Sequence, residues 1–426
     1  MNKKMILFIL TVTFTFAENK RLSFDDVQGK SPFKYSSLGI ITWFPDENAF
    51  LTKDNNNFYK VSVPSFDTTL FLSKSDFTIT PNTVKNNRQS APWVQTIEDA
   101  DQAIVPSNFV FSPDGSTLLF ATDKERVWRR SFYGTYYYLN INSKKISSLT
   151  SDNKRLRNVK FSPDGKKIAY IREDNNIYFY DIVKNKERQL TRDGSESILN
   201  GHFGWVYEEE FGSFDSYRWS PDSKKIAFLQ EDQSSVPIFM LFDEMNLYPK
   251  LTKIRYPKAG QTNPTMTLFI SDIRRGKPKK INVGVTLDKY FPWMEWSGND
   301  SLVLMKMNRL QKNWNFLNIN AKTGKYSLGL SESDPNGWVQ MHRNYYFLKN
   351  DNILWMSERD GWHHIYIHKK DGSLVKQITK GKWEVKKIVG FDEKNKKIYF
   401  ISNKETVFEN RFYSVNFDGT DLKLLT

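Results

Sequence analysis

One ten-residue phrase recurs along this chain and restricts what it can fold into. Phe111-Ser-Pro-Asp-Gly-Ser-Thr-Leu-Leu-Phe120 returns as Phe161-Ser-Pro-Asp-Gly-Lys-Lys-Ile-Ala-Tyr170 and as Trp219-Ser-Pro-Asp-Ser-Lys-Lys-Ile-Ala-Phe228. Each copy reads as a hairpin. An aromatic closes one strand, Ser-Pro-Asp-Gly makes a tight turn, and an alternating apolar strand leaves it. Looser copies start at Trp43, Trp296, Phe347 and Phe391, giving seven anchors. Most are followed by a second hairpin, such as Asn176-Ile-Tyr-Phe-Tyr-Asp181 and then Arg188-Gln-Leu-Thr191. Four short strands per roughly fifty residues describe a propeller blade. The expected fold is all-β, a β-propeller with about seven blades. Aromatic residues, 15% of the chain, are abundant enough to fill its core.

The spacing of the anchors is uneven. Phe161 to Trp219 is longer than Phe111 to Phe161, and the surplus falls on Gly204-Trp-Val-Tyr-Glu-Glu-Glu-Phe-Gly-Ser-Phe214. Trp219 to Trp296 is longer still, and its surplus includes Tyr256-Pro-Lys-Ala-Gly-Gln-Thr-Asn-Pro264. Trp43 to Phe111 carries a polar stretch at 82–95 that reads as a surface loop. Insertions in repeat proteins map to loops, often on the binding face.

Composition excludes several classes of chemistry. The chain has no cysteine, which removes disulfides, thiol nucleophiles and thiolate metal sites. Its five histidines show no ligand spacing, so no metal or other cofactor is expected. The net charge of +14 comes mostly from Lys pairs in turns such as Lys166-Lys167 and Lys224-Lys225. No basic stretch is interleaved with stacking aromatics, and no nucleic-acid partner is expected. Residues 1–17 read as a signal peptide: Lys3 and Lys4, an apolar run over 5–16, and Thr15-Phe16-Ala17 at the cleavage position. The mature chain is then periplasmic or secreted, or membrane-associated if the leader is retained.

The three adjacent acids Glu208, Glu209 and Glu210, flanked by Trp205, Tyr207 and Phe211, stand out chemically. Adjacent carboxylates repel, and aromatic flanks limit their water. Two of them held together match the three N–H donors of a primary ammonium, such as a peptide N-terminus. The alternative is a solvated acidic turn. A glycosidase pair fits less well, since adjacent acids on an extended chain alternate in direction. Arg129, in Val127-Trp-Arg-Arg-Ser-Phe132, closes the strand that follows Phe111. Arg at such an end can fork onto a carbonyl or carboxylate, and the alternative is a plain surface Arg. Nucleophilic catalysis has no support: Gly329-Leu-Ser331-Glu-Ser333 lacks the second Gly of a nucleophile elbow and any strand–helix alternation.

These residues together resemble the N-terminal part of the dipeptidyl peptidase IV group of the prolyl oligopeptidase family, from about Arg21 to Thr426. The most specific pieces are Trp205-Val-Tyr-Glu-Glu-Glu210, Val236-Pro237, Tyr256-Pro-Lys-Ala-Gly260, Gly337-Trp-Val339, Ser357-Glu-Arg-Asp-Gly-Trp362 and Gly381-Lys-Trp-Glu-Val385. The resemblance implies an eight-bladed propeller capping an α/β-hydrolase domain. It implies that Glu209 and Glu210 bind the substrate ammonium, with Arg129 on a substrate carbonyl and Arg130 the weaker match. It implies removal of Xaa-Pro or Xaa-Ala dipeptides by Ser, Asp and His of the hydrolase domain, and homodimers as a common state. A further family contact, a Phe shortly after Gly-Trp-Val, meets Gln340-Met341-His342 here and is in doubt.

The expected organisation is a signal peptide at 1–17, a segment at 18–40 that in the family packs on the hydrolase domain, and a propeller over 41–426. The eighth blade and the α/β-hydrolase domain are absent from this stretch. The chain is therefore expected to be the substrate-gating portion of a secreted serine exopeptidase, inactive by itself. The alternative is a stand-alone propeller that binds peptides or a protein partner.

Overall fold

The computed structural model describes residues 41–45, 47–54, 57–79, 102–103, 107–150, 154–245, 247–339, 341 and 343–426. The leader at 1–17, the segment at 18–40 and the polar stretch at 82–95 lie outside the described residues. The described regular structure is almost entirely β-strand, paired antiparallel throughout, in eight sheets of two to eight strands.

All seven anchors lie in strands. Trp43 lies in Thr42–Trp43, Phe111 in Ser107–Phe111 and Phe161 in Leu156–Phe161. Trp219 lies in Tyr217–Trp219, Trp296 in Met294–Gly298, Phe347 in Tyr346–Phe347 and Phe391 in Val385–Asp392. The turn behaves as its residues require. Ser112 Oγ donates to Asp114 Oδ1 at 2.6 Å, and the Gly115 N–H donates to Ser112 O at 2.9 Å. Gly115 and Gly165 both take φ of 69°. The third copy places Ser223 in the same left-handed region, φ 58°, where a side chain is strained. Its Oγ accepts the Asp164 N–H from the preceding turn at 2.9 Å, which offsets part of that strain.

Two compact units are distinguishable. The smaller holds the sheet of Thr42–Trp43, Ala49–Asp54, Asn57–Ser62 and Thr68–Leu72, with Leu51, Phe58 and Leu72 buried. The larger comprises 44–47 and 74–426 and contains the other seven sheets of the described residues. Within it, successive sheets bury apolar faces against one another. In the eight-stranded sheet, Leu119 and Tyr136 share a cluster with Ile168 and Tyr170 of the Lys167–Arg172 strand. Ile171 and Phe179 then meet Ile226 and Phe228, and Leu354 and Met356 meet Ile398 and Phe400. Each sheet thus contributes faces to its neighbours, as in a repeat whose units cannot bury their surface alone.

The surplus between Trp219 and Trp296 is a second hairpin. Ile238–Asp243 pairs with Lys250–Arg255 through six residue pairs, outside the sheet that carries Lys225–Asp232 and Thr265–Asp272. All six residues of its first strand are exposed.

Candidate functional site

The surplus between Phe161 and Trp219 folds as a short helix, α1, Trp205–Phe211. This corrects the extended reading of the acid run. Successive residues on a helix turn by about 100°, so three adjacent acids face three directions rather than alternating between two. A seven-residue helix is marginal on its own and depends on its anchors.

Those anchors are visible at both ends and along one side. Gly204, the N-cap, has no side-chain cap of its own. Its N–H instead donates to Glu231 Oε2 at 2.9 Å, a carboxylate on the Lys225–Asp232 strand. Gln233 Nε2 donates to the other oxygen, Oε1, at 2.6 Å. Tyr207 stacks on Phe203 at 4.4 Å, and its hydroxyl accepts the Phe291 N–H at 3.1 Å. Phe211 meets Tyr290 edge-on at 4.9 Å. At the far end Gly212 takes φ of 60°, and the Ser213 N–H reaches back to Tyr207 O at 3.0 Å, a left-handed helix stop.

The three carboxylates are thereby sorted. Glu208 points inward and is 1% exposed. Its Oε1 accepts the backbone N–H groups of Arg130 and Ser131 at 2.5 and 2.9 Å, and its carbonyl accepts Arg130 Nη1 at 3.2 Å. It fastens α1 to the turn that follows the Thr117–Arg126 strand. Glu209 stands at the rim, its side chain 33% exposed, with Oε1 3.1 Å from Arg129 Nη2. The Arg129 side chain is 67% exposed. Glu210 is exposed and has no hydrogen-bond or ion-pair partner among the described residues. It lines a cleft of about 1290 Å³ with Trp205, Tyr256, Lys258 and Arg309, where Trp205 packs on Tyr256 at 4.3 Å.

Residues far apart in sequence thus meet here: Arg129 contacts Glu209, and Glu210 follows on the same helix. Sequence reasoning gave no role to Glu208, Glu231 or Gln233. Nothing in a triple acid says which member turns inward, and the partners of Glu231 are fixed only by the fold. Arg343 was also not singled out. Its Nη2 donates to Ser213 Oγ at 2.5 Å, and its guanidinium lies 4.4 Å from the Trp293 ring. Of the stretch where the resemblance expects a Phe, residues 340 and 342 lie outside the described residues, and Met341 packs on the core beside α1.

Several titratable groups near α1 are shifted. Burial pushes the Glu231 carboxyl up to about 7, against the opposing hydrogen bonds of Gln233 and Gly204. Burial, aided by Arg157, pushes His202 well below its ordinary value. Burial likewise draws Lys160 down to about 8, although Asp215 pairs with it at 2.7 Å. Among the described residues no group of three His, Cys, Asp or Glu is placed to hold a metal ion, and no helix is long and apolar enough to cross a membrane.

Residues 112–426 match the family model of the dipeptidyl peptidase IV (DPP IV) N-terminal region. This chain belongs to that family, and its fold is the β-propeller of dipeptidyl peptidase 4. It is 30% identical over 369 residues to dipeptidyl peptidase 4 of Trichophyton rubrum, covering 82% of this chain and 46% of that protein. It is 29% identical over 356 residues to a Talaromyces marneffei protein described as "Probable dipeptidyl-aminopeptidase B", covering 76% and 40%. The crystal structure of Porphyromonas gingivalis dipeptidyl peptidase 4 superposes with a TM-score of 0.82 at 25% identity, over 96% of this chain and 56% of that one. The chain spans about half the length of the curated relatives it matches.

Proposed function

We propose that this chain is the substrate-gating propeller of a dipeptidyl peptidase IV-like serine exopeptidase, and that Glu209 and Glu210 receive the free N-terminal ammonium of a peptide. The observation that carries the reading is the sorting of the three carboxylates on α1. Glu208 is spent on anchoring, Glu209 stands beside Arg129, and Glu210 has no protein partner. An ammonium bridging Glu209 and Glu210 gains charge-assisted hydrogen bonds of about 1.5–3 kcal/mol each. By the family resemblance, Arg129 then turns to a carbonyl of the bound peptide. Hydrolysis of Xaa-Pro or Xaa-Ala dipeptides falls to the Ser, Asp and His of an α/β-hydrolase domain, which is the propeller's partner in this reading. The leader-like residues 1–17 support a periplasmic or secreted location.

The test is a binding titration of the purified chain. A peptide with a free Gly-Pro N-terminus is expected to bind at least tenfold more tightly than its N-acetylated form. Changing Glu209 and Glu210 together to Gln should remove that preference. Equal affinity for the two peptides removes the ammonium role and makes a stand-alone propeller with a protein partner the better reading.

A further inference from the structure

The start of α1 rests on a buried carboxylate that the proposed peptide contacts do not use. Glu231 is fully buried, and both of its oxygens are engaged, Oε2 by the Gly204 N–H at 2.9 Å and Oε1 by Gln233 Nε2 at 2.6 Å. The fit is close. A Cβ added at Gly204 would lie 1.8 Å from Gln233 Nε2 and 2.9 Å from Glu231 Oε1. The Gln233 amide therefore occupies the space above the Gly204 Cα, and the pair forms a shaped seat for the residue from which α1 departs. Five residues further on stands Glu209.

We propose that Glu231, held by Gln233, is a positioning residue for the Glu209–Glu210 pair, seating α1 more firmly when it carries a proton than when it is ionised. The inference rests on the ammonium-binding reading only for its effect on peptides; the seat itself is independent of it. The chemistry of the two forms is as follows. Ionised Glu231 accepts from both neighbours but sits as a charge away from water, which is costly. Protonated Glu231 accepts the Gly204 N–H on one oxygen and donates from the other to the Gln233 amide oxygen, once that amide turns over. The carboxyl then carries no charge away from water.

The groups facing Glu231 do not supply an equal and opposite effect. Arg157, from the Leu156–Phe161 strand, favours the ionised form, yet burial outweighs it, and Glu231 titrates at about 7. When α1 lifts and water enters, the carboxyl returns towards its ordinary value of about 4.3. The seated form thus binds the proton more tightly than the open form. The seat is strongest below the open-state value and weakens as pH rises through 7. Tyr207, on α1 itself, is raised well above its ordinary value and stays neutral throughout. His202, beside Arg157, is held too low to titrate near neutrality. Lys160 does titrate at about 8, bonded to Asp215 just beyond α1, so a comparison that cancels it is needed.

Glu231→Gln provides that comparison. It keeps an acceptor for Gly204 and has no proton to lose. Hydrogen exchange of residues 203–212 is measured at pH 6 and pH 8 in the full chain and in E231Q, and the ratio of the two proteins is taken at each pH. Intrinsic exchange chemistry and Lys160 cancel in the ratio. The wild-type segment is expected to open about tenfold more at pH 8 than at pH 6, relative to E231Q. Gly-Pro peptide affinity, compared with E231Q at each pH so that titration of its amine cancels, should fall at pH 8 only as far as the seated population falls. Glu231→Leu removes the acceptor and should weaken peptide binding at least tenfold at both pH values, with E231Q rescuing it at pH 6. An exchange ratio constant within twofold overturns the proposal even if E231L fails to fold. An exchange ratio that changes as expected while no peptide binds at either pH supports the seat and overturns the ammonium reading instead.

Discussion

Replacing Glu208 by Ala tests how α1 is held to the Arg129 turn. The lost carboxylate oxygen accepts two backbone N–H groups, from Arg130 at 2.5 Å and Ser131 at 2.9 Å, at a residue only 1% exposed. Removing it leaves the buried Ser131 N–H and the part-buried Arg130 N–H without an acceptor, at up to about 1–3 kcal/mol each. The opposing term is relief of a buried carboxylate whose second oxygen, Oε2, has no partner. A net local loss of about 3 kcal/mol follows, on the order of a hundredfold more opening. Hydrogen exchange read by mass spectrometry on 127–131 and 205–211 measures this directly. The Lys397–Ser402 strand, whose core cluster is distinct from the one α1 joins, serves as the control and should keep its protection. Glu208→Gln keeps one acceptor and should open these segments only about tenfold more. A rise below threefold in both segments for E208A would show that Glu208 does not anchor the helix.

Two further substitutions separate seating from recognition. Gly204→Ala drives a methyl into the Gln233 amide and should loosen α1 severely, while the double change with Gln233→Ala should recover most of the loss; exchange of 203–212 reads both, and additive effects would contradict the packing. Arg129→Ala removes an ion pair whose cation is 67% exposed, so the unfolding free energy should change by less than about 1 kcal/mol, whereas affinity for the Gly-Pro peptide should change; an unaltered titration removes Arg129 from the site.

The sheets were legible because their signal is local. The Ser-Pro-Asp-Gly turn sets its own hydrogen bonds and its own φ, and each copy lands at a strand end. The helix was not legible for the opposite reason. Seven residues hold less than two turns of apolar period, the N-cap is a Gly, and the cap's partner, Glu231, comes from a strand that follows it in sequence. The inserted hairpin was read only as surplus length. Ile238–Asp243 runs Ile-Phe-Met-Leu-Phe-Asp with no polar alternation, although all six residues are exposed, so the pattern that marks a half-buried strand is absent. The contact of Arg129 with Glu209 joins residues eighty positions apart, and no spacing rule reaches that far.

A pre-formed Arg129–Glu209 pair looks at first like an obstacle to binding an ammonium. Its exposure argues the reverse. A partly solvated pair is worth about 0–1 kcal/mol, so parting it costs little. Meanwhile it offsets part of the repulsion between Glu209 and Glu210. In the proposed reading, an arriving ammonium exchanges one cation for another at Glu209 and adds a new contact at Glu210, which has no partner to give up among the described residues. In the same reading the displaced guanidinium stays beside the peptide and donates to its first carbonyl. In the proposed reading the net gain therefore comes mainly from Glu210 and from the Arg129–carbonyl contact. Glu209 chiefly sets which atom of the peptide arrives where.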